Sequence, residues 1–301
     1  MDRILITGGT GLVGSAIKGD VHLGSKDGDL RDMSAVNSIF EKYKPTHVVH
    51  CAARVGGVYG NMIAKGEFYY DNVMINTNIL EACRIHNTKK VVSLLSTCIF
   101  PDKIDYPLTE KKIHLGEPHW SNYGYAYSKR MLDVQAKVYR DQYNVNFVSV
   151  VPTNVYGPND NFNLETSHVL PALIHKCYLA KKNNTRLEIW GSGNPLREFI
   201  YSDDIGRLVN WCLENYNDSE PIILSTSHEI SIKELVGLIV KAMEFNGEVV
   251  FDSTKPDGQF RKPADNSKLI NLIPDFKFTP IEEGIGKTVE WFVNNYEETR
   301  K

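Results

Sequence analysis

The sequence predicts an α/β protein built on a parallel sheet, with a smaller second α/β domain towards the C-terminus. Three observations predict it. A short apolar run, Arg3 to Thr7, leads straight into the glycine-rich GGTGLVG. Apolar runs then alternate with helical stretches as far as Pro152, which is the rhythm of βαβ units. After Pro152 the rhythm loosens into TNVYGPNDNF, whose Asn, Gly and Pro residues mark a loop over Thr153 to Phe162.

Each element follows from local pattern. The first strand, Arg3 to Thr7, feeds a helix entered from GGTGLVG, and a second strand fits Val21 to Ser25. Helical spacing from Met33 to Tyr43 is closed off by Pro45, and HVVHCAA follows as a strand. Two long amphipathic patterns, Phe68 to His86 and Tyr125 to Tyr143, precede the strands Val91 to Ser96 and VNFVSVV. The unbroken apolar character of these strands fits burial on both faces. Further on come a helix over Ser167 to Lys181, a strand at Leu187 to Trp190, a helix cap at Ser202 to Asp204 and a strand at Ile222 to Ser225. Ser231 with Glu234 three residues on reads as a capping box. A strand at Val249 to Phe251 and a helix over Ile281 to Tyr296 complete the chain. The predicted division is a first domain over 1–155, with a return segment at about 197–228, and a second domain mainly over 156–301. A cleft is expected between them.

Composition narrows the class. A chain of 301 residues that is 42% hydrophobic and 24% charged has material for a packed core. A net charge of −3 argues against nucleic acid as a partner. The five cysteines, Cys51, Cys83, Cys98, Cys177 and Cys212, show neither paired nor metal-type spacing, so reduced thiols and no metal site are expected. With no signal peptide and no spanning-length apolar run, the chain reads as soluble, cytoplasmic and independent of membranes.

Gly8, Gly11 and Gly14 stand between the first strand and the first helix. Glycines there permit a tight turn and close backbone approach, and a helix N-terminus offers free N–H groups to a pyrophosphate. The context is that of an NAD(P)-binding Rossmann fold. At the end of the second strand the sequence reads GSKDGDL. Ser25 and Lys26 can both donate to a 2′-phosphate, which favours NADP, while Asp27 beside them is the residue type that suits NAD. Asp29 and Leu30 suit the adenine edge.

Tyr125 and Lys129, four apart, share one helix face. A phenol beside an ammonium has a lowered pKa and can pass a proton to an alkoxide. Tyr123 and Tyr127 have no lysine four residues on. Ser96 and Cys98 lie where the buried strand Val91 to Ser96 ends. Taken singly, a residue like Cys98 is usually a small buried hydrophobe and one like His168 usually a structural group rather than a catalyst.

With GGTGLVG, Ser96 and Tyr125 to Lys129 in place, the chain resembles the extended short-chain dehydrogenase/reductase family. VGGVYGN (Val55 to Asn61), STCIFP, PTNVYGPNDNF, SHVLPALIHK, WGSGNPLREFIYSDD and DGQFRK (Asp257 to Lys262) narrow the resemblance to the GDP-L-fucose synthases within it. The resemblance implies 3,5-epimerisation of GDP-4-keto-6-deoxy-D-mannose followed by NADPH-dependent reduction at carbon 4. Ser96, Tyr125 and Lys129 are then the reducing triad. Cys98 is the base that removes a proton beside the keto group, and His168 the acid that returns one on the other face. Cofactor contacts are implied for Gly8, Thr10, Gly11, Leu12, Val13, Gly14, Ser25, Lys26, Asp29, Leu30, Ala52, Ala53, Tyr125, Lys129, Pro152, Asn154, Val155 and His168. Substrate contacts are implied for Asn154, Lys176, Trp190, Arg197 and Lys262, the two last on the diphosphate. A homodimer built on the two long amphipathic helices is implied as well.

One departure stands out. Only GSAIKGDVHLGSKD follows the glycine turn before the cofactor selector, where relatives carry a longer first helix and loop. A looser hold on the adenosine side is expected. Two other readings remain. A plain nucleotide-sugar 4-epimerase or reductase on this fold needs only Ser96, Tyr125 and Lys129. A catalytically idle NADP-sensing protein needs none of them, and the intact triad with the added Cys98 and His168 argues against it.

Overall fold

The computed structural model describes residues 2–255, 257 and 260–301, with backbone alone for Val58 and Tyr59. Gly258 and Gln259 of the DGQFRK motif lie outside the described residues. In chain order the first elements are β1 (Ile4–Thr7), β2 (Val21–Leu23), α1 (Met33–Tyr43), β3 (His47–His50), α2 (Val58–Ile63), α3 (Lys65–Ile85), β4 (Lys90–Leu94), α4 (Tyr123–Tyr143) and β5 (Phe147–Pro152). Next come β6 (Asn154–Tyr156), α5 (Val169–Asn183), β7 (Leu187–Trp190), β8 (Leu196–Tyr201), α6 (Ser202–Asn215) and β9 (Ile222–Leu224). The chain closes with β10 (Glu229–Ser231), α7 (Ile232–Ala242), β11 (Val249–Asp252), α8 (Ser267–Leu272) and α9 (Ile281–Asn294).

Six strands form one parallel sheet in the order β2-β1-β3-β4-β5-β9. Successive side chains on a strand face opposite ways. Leu5, Val48, Val91 and Phe147 enter one core with α1, α3 and α4. Their neighbours Ile6, Val49, Val92 and Val148 enter another beneath α6. Both faces are covered, which is why the strand sequences are apolar without alternation. A further core gathers Tyr156, Phe162, Leu173, Ile189, Leu235 and Phe292 around two small sheets, β10-β8-β6 and β11-β7. The main sheet reaches across this order of residues, because β9 pairs with β5.

Three expectations are corrected. The first helix is not formed: after GGTGLVG there is one 3-10 turn, Gly14–Ala16, and Ile17 is already extended. Four residues, Ile17 to Asp20, separate that turn from β2 at Val21, too few for an α-helix and a return. Instead Asp20 N–H donates to Ile4 O at 2.9 Å, and Gly9 N–H to Leu23 O at 2.7 Å. A groove of about 810 Å³, lined by Ile4, Lys18, His47, Lys90 and Trp211 among others, lies open beside the amino-terminal ends of the strands. It is at the opposite end of the sheet from Ser96. Secondly, the Asn/Gly/Pro-rich loop contains β6, which pairs in parallel with β8. Thirdly, Ser202 to Asp204 form the first turn of α6 rather than its cap, which is Tyr201. Asp204 is turned inward to accept from Thr279 N–H at 2.7 Å and to pair with Arg207. The capping box at Ser231 and Glu234 is present as expected.

Candidate active site

Parallel strands place their carboxyl ends, and the loops that follow them, on one edge of the sheet. β4 ends at Leu94, and Ser96 begins a short 3-10 turn, Thr97–Ile99, that carries Cys98. Ser96 Oγ accepts the Cys98 N–H at 3.4 Å. Opposite, α4 packs along α3 and presents Tyr125 and Lys129 on one face. The Lys129 side chain is buried, and its Nζ donates to Leu94 O at 2.7 Å, 6.0 Å from the centre of the Tyr125 ring. The structure therefore brings Ser96, Cys98, Tyr125 and Lys129 together.

The electrostatics of the phenol differ from expectation. Burial pushes the Tyr125 phenol well above its ordinary value, and the charge of Cys98 adds to that. The neighbouring ammonium does not outweigh burial. Lys129 is itself lowered to about 8, again by burial, with Cys51 and Cys98 pulling the other way. Burial also raises the Cys98 thiol, against the hydrogen bond of Ser96 and the charges of Lys262 and Lys129. A buried thiol favours its neutral form unless cations compensate.

His168 is the N-cap residue of α5 and is exposed, with no hydrogen bond to its ring among the described residues. Protein packed around it lowers its pKa through desolvation. The VGG motif fastens this corner: Gly57 N–H donates to Thr166 O at 2.7 Å, and a Cβ on Gly57 would meet Ser167 O at 2.7 Å. From Gly57 the chain enters α2, which lies against the turn Trp120–Asn122 and the start of α4. The segment before His168 is thereby tied, through α2, to the start of the helix that carries Tyr125.

The cofactor side is a cradle without its helix. Gly8 has φ +65°, and a Cβ there would sit 2.8 Å from Ala52 N. Gly14 packs so closely on the Gly8 carbonyl that a Cβ would overlap it. β1 and β3, whose ends meet here, flank the point where the strand order reverses. Thr10, Leu12 and Val13 have N–H groups bonded to no other described residue. They, with Ser25 and Lys26 exposed at the end of β2, fit a pyrophosphate and a phosphorylated ribose. Asp29 is engaged by Arg31, which also reaches Asp71, and Leu30 packs into the core. Ala52 donates its N–H to Thr7 Oγ1 at 3.2 Å, Ala53 follows it on the same edge, and Pro152 and Val155 line the end of β5 and β6.

Comparison with known proteins agrees with this arrangement. A profile of the NAD dependent epimerase/dehydratase family matches residues 4–224. The GDP-L-fucose synthase of Dictyostelium discoideum is 50% identical over 311 aligned positions, covering 99% of this chain and 97% of that protein. The chain belongs to the GDP-L-fucose synthase family. A probable GDP-L-fucose synthase of Drosophila melanogaster is 44% identical over the whole length of both chains. A solved GDP-L-fucose synthetase of Naegleria fowleri, bound to NADP, is 50% identical and superposes with a TM-score of 0.96 over 100% of this chain and 95% of that one.

In this GDP-L-fucose synthase family member the substrate-side residues fall into two groups. Lys262 faces the cysteine and Arg197 stands behind it: Lys262 is lowered by burial and feels Cys98 most strongly, then Asp102, Arg197 and Arg130. Arg197 is lowered by burial too, and its Nη1 donates to Leu196 O at 2.7 Å. Lys176 lies apart from these, its Nζ 5.0 Å from the centre of the Trp190 ring, which is 62% exposed and flanked on another side by Lys255. Asn154 is exposed and uses its amide to donate to Glu198 O at 2.7 Å, which joins β6 to β8.

Sequence reasoning missed two supports. Glu198 is buried and accepts from Ser225 Oγ at 2.8 Å and Ala264 N–H at 3.1 Å, which holds the arm that bears Lys262. His50, fully buried and lowered to about 3 by burial, links Thr7 to Asn76, and Asn76 donates to Ser128 O beside Lys129. Single polar residues within apolar runs were the only signal for either.

Proposed function

We propose that this chain converts GDP-4-keto-6-deoxy-D-mannose to GDP-L-fucose, by epimerisation at carbons 3 and 5 and NADPH-dependent reduction at carbon 4. The observation that carries the reading is the turn joining Ser96 to Cys98 across from Tyr125 and Lys129. It puts a thiol beside the same carbonyl-binding groups that a reductase uses.

The keto group acidifies the carbons beside it. Cys98, as thiolate, takes a proton from one of them; the C–H pair enters the enolate, and an S–H bond forms. Ser96 and Tyr125 donate hydrogen bonds to the enolate oxygen. His168, as imidazolium, gives a proton to the opposite face and inverts the centre. NADPH, when bound, supplies the hydride for carbon 4. Tyr125 then protonates the alkoxide, and burial suits it to that task by keeping the phenol protonated at neutral pH. Lys129 beside it supplies the positive charge. The free N–H groups of Thr10, Leu12 and Val13 and the side chains of Ser25 and Lys26 hold the cofactor's phosphates. Arg197 and Lys262 take the sugar diphosphate, with Lys176, Trp190 and Asn154 along the rest of the nucleotide sugar.

In this reading residues 1–155, with about 197–228, form the cofactor domain, and 156–301 mainly form the substrate domain. The working unit is a homodimer through α3 and α4, whose outer face carries Tyr69, Tyr70, Met131, Val134 and Val138 in exposed positions. No helix among the described residues is long and apolar enough to cross a membrane. The five cysteines are free, which supports a reducing, cytoplasmic setting.

The test follows NADPH absorbance on addition of GDP-4-keto-6-deoxymannose, with sugar stereochemistry read by NMR. Wild-type protein is expected to oxidise NADPH and release GDP-L-fucose. Cys98→Ser is expected to lose solvent-deuterium incorporation while still oxidising GDP-L-fucose with NADP in reverse. A folded wild type that leaves NADPH untouched overturns the reading.

A further inference from the structure

Arg130 stands one residue beyond Lys129 on α4, and the reduction has no task for it. Its side chain is 4% exposed. Nε donates to Ile99 O at 2.6 Å and Nη1 to Gly116 O at 2.7 Å. The guanidinium lies over the Tyr127 ring, 5.3 Å from its centre. Nη2 is buried with no hydrogen-bond partner, and no carboxylate pairs with the group among the described residues.

A buried cation without a counter-ion is costly to fold around. Two carbonyls satisfy its hydrogen bonds but leave its charge uncompensated. Ile99, which accepts the shortest of those bonds, is the residue after Cys98. Among the groups whose negative charge would stabilise the guanidinium are Tyr127 and Cys98. Tyr127 is the stronger of the two, and on the sulfur's side Lys262 and Lys129 act more strongly than Arg130, so the geometric hold on Ile99 is the firmer link between Arg130 and the cysteine.

We propose that Arg130 is a positioning residue for epimerisation, clamping the turn that carries Cys98 and keeping a fixed positive charge beside its sulfur. This rests on the reading of Cys98 as the epimerising base. The sulfur is faced by Ser96 from the end of β4, by Tyr125, Lys129 and Arg130 from α4, and by Lys262 from the C-terminal arm, which in turn faces Asp102 and Arg197. Lys129 is committed to Leu94 O, and Lys262 lies on the arm that takes the diphosphate. Arg130 alone of the three cations has a rigid fork fixed at two backbone carbonyls of the cysteine's own surroundings. In the proton abstraction, negative charge leaves sulfur for the enolate oxygen as the S–H bond forms, and Arg130 exchanges no proton. Its contribution is to the population of thiolate from which the step begins.

The experiment measures alkylation of Cys98 by iodoacetamide across pH, quantified by mass spectrometry of its peptide, in substrate-free wild type, Arg130→Met and Arg130→Lys. The Cys98 midpoint is expected to move up in Arg130→Met, so that alkylation at neutral pH slows about tenfold, while Cys51 is unaffected. Arg130→Lys should restore most of the rate. In the same variants, solvent-deuterium incorporation into the sugar should fall about tenfold in Arg130→Met, with NADP-dependent oxidation of GDP-L-fucose within about twofold of wild type. Equal loss of both half-reactions with an unchanged Cys98 midpoint means a merely structural role and overturns the proposal. Should Arg130→Met not fold, Arg130→Gln gives the same midpoint reading. If Cys98→Ser, with Arg130 intact, keeps its deuterium incorporation, the reading of Cys98 as base fails whatever the midpoint of Arg130→Met.

Discussion

Lys129 reaches from α4 to the last carbonyl of β4, donating to Leu94 O at 2.7 Å. The bond fixes the phenol-bearing helix against the strand that leads to Ser96. It also leaves the ammonium in a poorly solvated place, and burial lowers it to about 8. The charge is present below that pH and is lost above it. Oxidation of GDP-L-fucose by NADP, followed as kcat/KM, should therefore fall as pH rises through about 8. Lys129→Met should lower kcat about 100-fold or more and remove that limb. A limb unchanged in the variant would mean that another group titrates.

Burial moves the two groups proposed for epimerisation in opposite directions, the Cys98 thiol up and the His168 imidazole down. The reactive pair, thiolate with imidazolium, is then the minor form of the singly protonated site. Deuterium incorporation should be bell-shaped in pH, with the acid limb set by His168 and the alkaline limb by Cys98. The alkylation midpoint of Cys98 should coincide with the alkaline limb. Coincidence with the acid limb would show that the site rests as an ion pair.

Much of this site is legible from residue types alone, and the failures are informative. α1 occupies the predicted residues because Met33 to Tyr43 has a helical apolar stripe and an Asp32 cap that accepts from Ser34 N–H. Leu5 and Ile6 go to opposite cores, as an unbroken apolar strand requires. β6 was hidden because a three-residue strand with exposed Asn154 has no pattern of its own and pairs with a partner some forty residues away. The first helix failed for want of chain. The protonation tendency of Tyr125 was misjudged because spacing shows a neighbouring charge, whereas burial depends on every element that folds over the site.

Loss of the first helix bears on the cofactor. A single 3-10 turn has no appreciable macrodipole, so a contribution of about 0.3–1 kcal/mol to pyrophosphate binding is absent. In the proposed reading more of the binding falls to Lys26, exposed at the end of β2. Lys26→Glu should weaken NADPH about tenfold or more by calorimetric titration and leave NADH nearly unchanged. Equal weakening of both would place the 2′-phosphate elsewhere.

Tyr127, Met131, Val134 and Val138 follow one another along a single stripe of α4. Val138, half exposed, lies within it. Val134→Asp combined with Val138→Asp should shift the mass in solution from twice 34.1 kDa to 34.1 kDa, measured by light scattering at micromolar concentration. A wild type already at the smaller mass would exclude this seam.

Asp160 shows how the loop after β6 responds to pH. Its side chain is 5% exposed; Oδ1 accepts from Asn161 N–H at 2.7 Å, while Oδ2 is buried with no partner among the described residues. Burial raises its pKa from 3.8 to about 7, against the Asn161 bond and the charge of Arg300. The folded chain thus keeps this proton up to about pH 7, whereas the unfolded chain releases it near 3.8. Between those values unfolding releases a proton, so stability is greatest below the lower value, falls as pH rises to the upper one and is level beyond it. The full effect is about 2–4 kcal/mol. Asp160→Asn preserves the acceptor for Asn161 and removes the titration. Its urea midpoint should exceed that of wild type at pH 8 and match it near pH 4, with most of the change between pH 5 and 7. A variant no more stable than wild type at pH 8 would show that the carboxylate is solvated in the folded protein.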